Sequence, residues 1–119
     1  MEKNQLREDC ISFTIAVSDT CDHIKGCSVF VNQLVRSSSS IGANVHEAKY
    51  AQSYADFINK LEIALKESSE TDYWLELLFR KGRLTEEQYK ILRNQCGSIR
   101  RRLISSITTA NGNMEQRKK

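Results

Sequence analysis

The chain has no proline and only five glycines among its 119 residues, so almost nothing in it interrupts a helix. Alternating polar and apolar runs bounded by Asn-Gly or Pro-Gly turns, the mark of hairpin strands, are missing as well. The expected fold class is therefore all-α. No stretch approaches the roughly 18 apolar residues of a membrane span, and the opening MEKNQLRED is charged where a signal peptide requires an apolar run. These absences lead us to expect a cytoplasmic protein with no membrane partner. A chain of this length has room for one core. We expect a single domain over residues 1–110, followed by a disordered basic tail over 111–119, NGNMEQRKK.

The four cysteines, Cys10, Cys21, Cys27 and Cys96, form no Cys-x-x-Cys pair and no Cys/His set at zinc spacing. Cys10 and Cys21 lie eleven residues, about three helical turns, apart and share a face, as small core residues of a reducing compartment do. Isolated Gly42 and Gly97 make no phosphate loop. The serine run 37–40 has no histidine spaced to act as its base, and a mid-helix serine hydroxyl usually bonds the carbonyl of its own preceding turn. Di-iron bundles need a histidine three residues after an inward glutamate, and neither His23 nor His46 has that spacing. We expect no enzyme activity, no metal and no cofactor.

What the chain does have is four long helical periods. Leu6, Cys10, Phe13, Val17, Cys21 and Ile24 mark the first, over residues 3–25, before Gly26. Phe30, Leu34, Ile41, Val45 and Ala48 mark the second, from about Ser28 to Gln52. Ser53 with Asp56 resembles a capping box and opens the third, which runs through Phe57, Leu61, Ala64, Ser68, Leu75 and Leu78 to a stop at Gly82. Thr85 with Gln88 is a second box, ahead of Tyr89, Leu92, Cys96, Ile99, Leu103, Ile107 and Ala110. Short links between long helices force neighbours to run antiparallel, so the predicted architecture is an up-down-up-down four-helix bundle.

Apolar surface exceeds what one such core can hide. In Tyr73-Trp74-Leu75-Glu76-Leu77-Leu78-Phe79 six of seven residues are apolar and, at about 100° per residue, they surround the helix. Ile11, Ile15, Ile63, Leu65, Ile91 and Ile104 also lie off the main stripes. This surplus predicts burial against another copy of the chain, with Tyr73, Trp74 and Leu77 as the interface. Beside the apolar stripe Ser37, Ser40, Asn44 and Glu47 form a polar one, opposite Glu62, Lys66, Glu67 and Glu70 of the third helix. We read Ser40, Asn44, Glu47, Lys66, Glu67 and Glu70 as a structural network, in which Asn44 and Glu47 hydrogen-bond across helices and fix register.

Charge divides the chain. Residues 1–79 carry 7 basic and 12 acidic side chains, net −5, whereas residues 80–119 carry 11 and 3, net +8. Arg80, Lys81, Arg83, Lys90, Arg93, Arg100, Arg101 and Arg102 are the candidate nucleic-acid-binding residues, each phosphate they neutralise releasing counterion. Arg100, Arg101 and Arg102 point three ways around a helix, so at most two serve one face. The alternative for these charges is a solvated face balanced by acidic neighbours across the bundle.

Several local motifs carry a family resemblance that spans the first helix to about Ala110. They are Ser40-Ile41-Gly42-Ala43-Asn44 with Glu47-Ala48, Ser53 with Asp56-Phe57, Lys60-Leu61, Ile63-Ala64-Leu65-Lys66-Glu67, and Glu70 with Tyr73-Trp74-Leu75. With them the chain resembles the four helix bundle proteins, also described as 23S ribosomal RNA intervening-sequence proteins. It is similar in particular to the branch that looks like accessory variability determinants of diversity-generating retroelements. Many members have glycine where this chain has Ala48, which fits the subset whose second helix continues further. The resemblance implies a four-helix protomer, a closed homopentameric barrel and no catalysis. In the accessory-protein branch it also implies RNA or DNA and a reverse transcriptase as partners. The competing expectation is a purely structural scaffold for protein-protein interaction.

Overall fold

The computed structural model describes residues 5–118 and contains four helices, α1 (Gln5–Cys21), α2 (Ser28–Ala48), α3 (Tyr54–Arg80) and α4 (Glu86–Lys118). Among the described residues there is no strand. The start of α1 expected at residue 3 lies outside them. Among the described residues no helix is long and apolar enough to cross a membrane.

Local chemistry sets the helix ends. Ser53 is extended and its Oγ accepts the Asp56 N–H at 3.0 Å, while the Asp56 carboxylate accepts the Gln52 N–H at 3.4 Å. Capture of Gln52 by that cap helps explain why α2 stops at Ala48 instead of reaching Gln52 as expected. At the other end of α3, Arg83 N–H bonds Leu78 O and Gly82 N–H bonds Phe79 O, both at 2.9 Å, a Schellman closure that requires the left-handed φ of 75° at Gly82. Thr85 and Gln88 then cap α4 reciprocally, at 2.9 and 3.0 Å. Helix α1 stops at Cys21, short of residue 25, and the chain turns through two left-handed residues, Gly26 and Cys27.

The expected disordered tail is helical instead, as far as Lys118, while Lys119 lies outside the described residues. Tertiary contact supports it. Met114 packs on the core, Asn113 Nδ2 lies 3.5 Å from the Tyr54 hydroxyl, and the Arg117 guanidinium lies over the Tyr54 ring, 5.0 Å from its centre.

Cross-helix pairs show the direction of packing. Between α1 and α2 they are Arg7 with His46 and Thr14 with Ser38; between α2 and α3, Ser37 with Thr71 and Glu47 with Lys60. Between α3 and α4, Phe79 meets Tyr89 and Asp72 meets Arg100. As one number rises its partner falls, so successive helices are antiparallel. Helix α1 closes the ring on α4 through Asp9 and Arg102. The result is an up-down-up-down bundle of 54 × 24 × 21 Å whose length follows α4, since 33 helical residues span about 50 Å. Phe13, Leu34, Ile41, Leu75, Leu78, Leu92, Ile99 and Leu103 fill the centre, each on the stripe its periodicity predicted.

Candidate nucleic-acid interface

The predicted cationic set separates into two groups once the helices are in register. Arg100 and Arg102 lie on opposite flanks of α4. Arg100 reaches back to Asp72 of α3 at 3.1 Å and Arg102 bonds Asp9 of α1, each side chain about two thirds covered. These two arginines tie the bundle together, which corrects their assignment to an open binding surface. Arg80 is exposed but holds Glu76 of its own helix at 2.6 Å. Lys81, Arg83, Lys90, Arg93 and Arg101 are all exposed and form no ion pair among the described residues.

These five begin at the turn between α3 and α4 and continue along the outer side of α4. Lys90, Asn94, Gly97 and Arg101 follow steps of four, three and four, so they share one stripe about 16 Å long. Arg93 stands beside that stripe. The only acids in the same stretch, Glu86 and Glu87, occupy the first turn of α4, where they suit the positive end of the helix dipole. Arg101 extends over Gly97: a methyl group there would lie 3.4 Å from its guanidinium.

One aromatic feature borders the cations. The Phe79 and Tyr89 rings stack across the seam between α3 and α4 with centres 4.4 Å apart and planes 6° from parallel. Arg93, one turn on from Tyr89, places its guanidinium over that ring at 5.7 Å. The Tyr89 to Arg93 step of four was visible in the sequence; the partnership with Phe79 needs the tertiary fold.

The polar network differs from expectation in its pairing. Asn44 bonds Ser40 O and Oγ in its own helix, at 2.9 and 3.2 Å, and does not cross to α3. The backbone carbonyl one turn back competes with cross-helix partners for the asparagine amide. Glu47 does cross, to Lys60 at 3.2 Å. Glu67 and Glu70 turn toward Arg36, the first at 3.3 Å, and Lys66 is exposed without an ion-pair partner among the described residues. Sequence reasoning missed Arg36, because its meeting with Glu67 and Glu70 depends on the register of α2 against α3. Glu70 also accepts the Trp74 indole N–H at 3.1 Å, and this bond, with Arg36, holds its carboxyl below the ordinary range. The buried cross-helix polar contact lies elsewhere, where Ser37 Oγ and Thr71 Oγ1 meet at 2.9 Å in full burial.

The predicted interface residues are partly engaged within the chain itself. Trp74 stacks on Phe30 with centres 6.0 Å apart, and Leu77 is half-buried. Tyr73 remains 59% exposed, and on other helices Ile15 is 55%, Ile91 54% and Ile104 48% exposed. Surplus apolar surface is therefore real, but most of it lies outside the Tyr73 to Phe79 segment. The four thiols are unbridged; burial pushes Cys10 and Cys96 up to about 12 and Cys21 up to about 11.

Comparison with known proteins agrees with the architecture. A structure described as a protein of unknown function from the S23 ribosomal protein family of Bacteroides thetaiotaomicron superposes with a TM-score of 0.85 at 43% identity, covering 91% of this chain and 99% of its own. No curated protein matches the sequence. The family profile described as 23S rRNA-intervening sequence protein matches residues 2–105, most of this four-helix chain, which therefore belongs to that family.

Proposed function

We propose that the protein is a non-enzymatic, oligomeric accessory protein of the cytoplasm that binds RNA or DNA through the outer surface of α4 and the turn before it. The observation that carries this reading is the set of five exposed cations, Lys81, Arg83, Lys90, Arg93 and Arg101, that no carboxylate neutralises among the described residues. A phosphate backbone supplies the missing counter-charge, and its condensed cations are released on binding. Repetition of the patch around a closed homo-oligomer, a pentamer by the sequence resemblance, would multiply its field. The reverse transcriptase implied by the same resemblance is the protein partner proposed for this assembly. In support of a non-catalytic role, Ser37, Ser38 and Ser39 each bond the carbonyl three residues back, and Cys10 and Cys96 are core thiols held protonated by burial.

A mobility-shift titration with labelled RNA and DNA at about 50 and 200 mM salt tests the reading. Affinity is expected to fall steeply between the two, and reversal of Lys90, Arg93 and Arg101 to glutamate is expected to abolish binding. Absence of binding at the lower salt would overturn it. Light scattering tests the assembly, and a folded monomer at micromolar concentration would remove that part of the proposal.

The second reading is a scaffold that acts through its apolar surface alone. The half-exposed Ile15, Ile91 and Ile104 favour it, since a protein partner would cover them as well as another copy does. Under this reading the glutamate substitutions leave partner binding intact.

A further inference from the structure

The stacked Phe79 and Tyr89 rings and the Arg93 guanidinium stand where α3 turns into α4, and their arrangement bears on which kind of nucleic acid the surface takes. This step rests on the nucleic-acid reading above. Both rings are only half-buried although they bridge two helices, and Arg93, exposed, lies over Tyr89 without a carboxylate partner. A guanidinium so placed is a flat cation backed by an aromatic surface, a platform on which a nucleobase stacks. Lys90, one turn away on α4, and Lys81 and Arg83 on the turn into it supply exposed cations near that platform in the chain, and with Arg93 they outnumber Glu86 and Glu87 of the first turn of α4. A duplex hides its base faces and offers such a platform only its backbone, whereas an unpaired strand presents both.

We infer that the α3–α4 corner is a stacking site for unpaired bases, in which Arg93 backed by Tyr89 and Phe79 holds a base while Lys81, Arg83 and Lys90 hold the flanking phosphates. The surface therefore selects single strands over duplexes of equal length. Charge alone cannot make that selection, because a duplex carries the denser charge.

Fluorescence anisotropy with a 20-nucleotide oligothymidine and a 20-base-pair duplex, at matched salt, tests the inference with two variants of the full chain. Arg93→Lys keeps the charge at an exposed position and removes the plane; Tyr89→Leu keeps apolar volume and removes the ring. Each is expected to weaken single-strand binding about tenfold, as loss of one stacked base does, and duplex binding far less. If Tyr89→Leu fails to fold by circular dichroism, Arg93→Lys alone decides. Wild-type binding to both ligands with no change in either variant would overturn the stacking site and leave the nucleic-acid reading standing. Equal loss on both ligands would overturn it too, and wild-type binding to neither would overturn both.

Discussion

Gly42 of α2 faces Cys10 of α1 so closely that a methyl group on Gly42 would stand 3.1 Å from the Cys10 Cβ. Glycine here lets two helix backbones approach, and Ser39 and Ala43 line the same groove between α1 and α2. Alanine at position 42 gains about 1 kcal/mol of helix propensity but must push α1 outward by a few tenths of an ångström. Gly42→Ala is therefore expected to change unfolding free energy by less than about 1 kcal/mol, while Gly42→Leu lowers it by about 2 to 3 kcal/mol through overpacking. Urea titration followed by circular dichroism measures both, and equal stability of the leucine variant would contradict the close-approach role.

Thr71 and Ser37 share the buried hydroxyl contact between α2 and α3, and each has a second partner, Glu67 O at 2.8 Å and Leu34 O at 3.3 Å. Thr71→Val preserves shape and removes the hydroxyl, so the expected loss is about 1 kcal/mol. Combined with Ser37→Ala, the total is expected to be smaller than the sum of the single losses, because the second substitution has no contact left to break. Additive losses in the double-mutant cycle would show that the two hydroxyls act independently.

Acid is expected to weaken the fold through two carboxylates. Glu70, bonded by the Trp74 indole and then by Arg36, and Asp9, bonded by the Gln5 amide and then by Arg102, both titrate below their ordinary values of 4.5 and 3.8. With the folded value the lower one, the unfolded chain takes up the proton first. The stabilisation is whole above about pH 4.5 and is lost as pH falls through the folded values. Both carboxylates are about two fifths exposed, so screening limits each pair to no more than about 1 kcal/mol. Glu70→Gln with Asp9→Asn should flatten the dependence of melting temperature on pH below 5; an unaltered slope would assign it to other groups.

Thiol chemistry gives an independent check on the core. At pH 8 a group titrating at about 12 is ionised to the order of one part in ten thousand, so Cys10 and Cys96 should resist alkylation in the folded protein. Cys21, pushed only to about 11 and half-buried, should react slowly but sooner. Mass spectrometry of iodoacetamide-treated protein reads the order, and early labelling of Cys96 would mean that α4 does not seat against Ser68, whose carbonyl accepts the thiol at 3.4 Å.

Sequence by itself determined the four helices, the caps that open α3 and α4, and most of the core. These depend on information that lies within three or four positions: the recurrence of Cys10 with Phe13 and of Leu92 with Cys96 and Ile99, the Ser53 and Thr85 caps, the stop at Gly82. Local signals failed where a distant contact outweighed them, as when Tyr54 and the core received the segment around Met114 and Arg117 as a helix. Only the tertiary structure decided which charges are free. Arg100, Arg101 and Arg102 are adjacent in sequence, yet helical rotation carries the first to Asp72 and the third to Asp9, and leaves the second to solvent. Ion pairing between helices depends on their relative rotation and register, which no short window of residues contains.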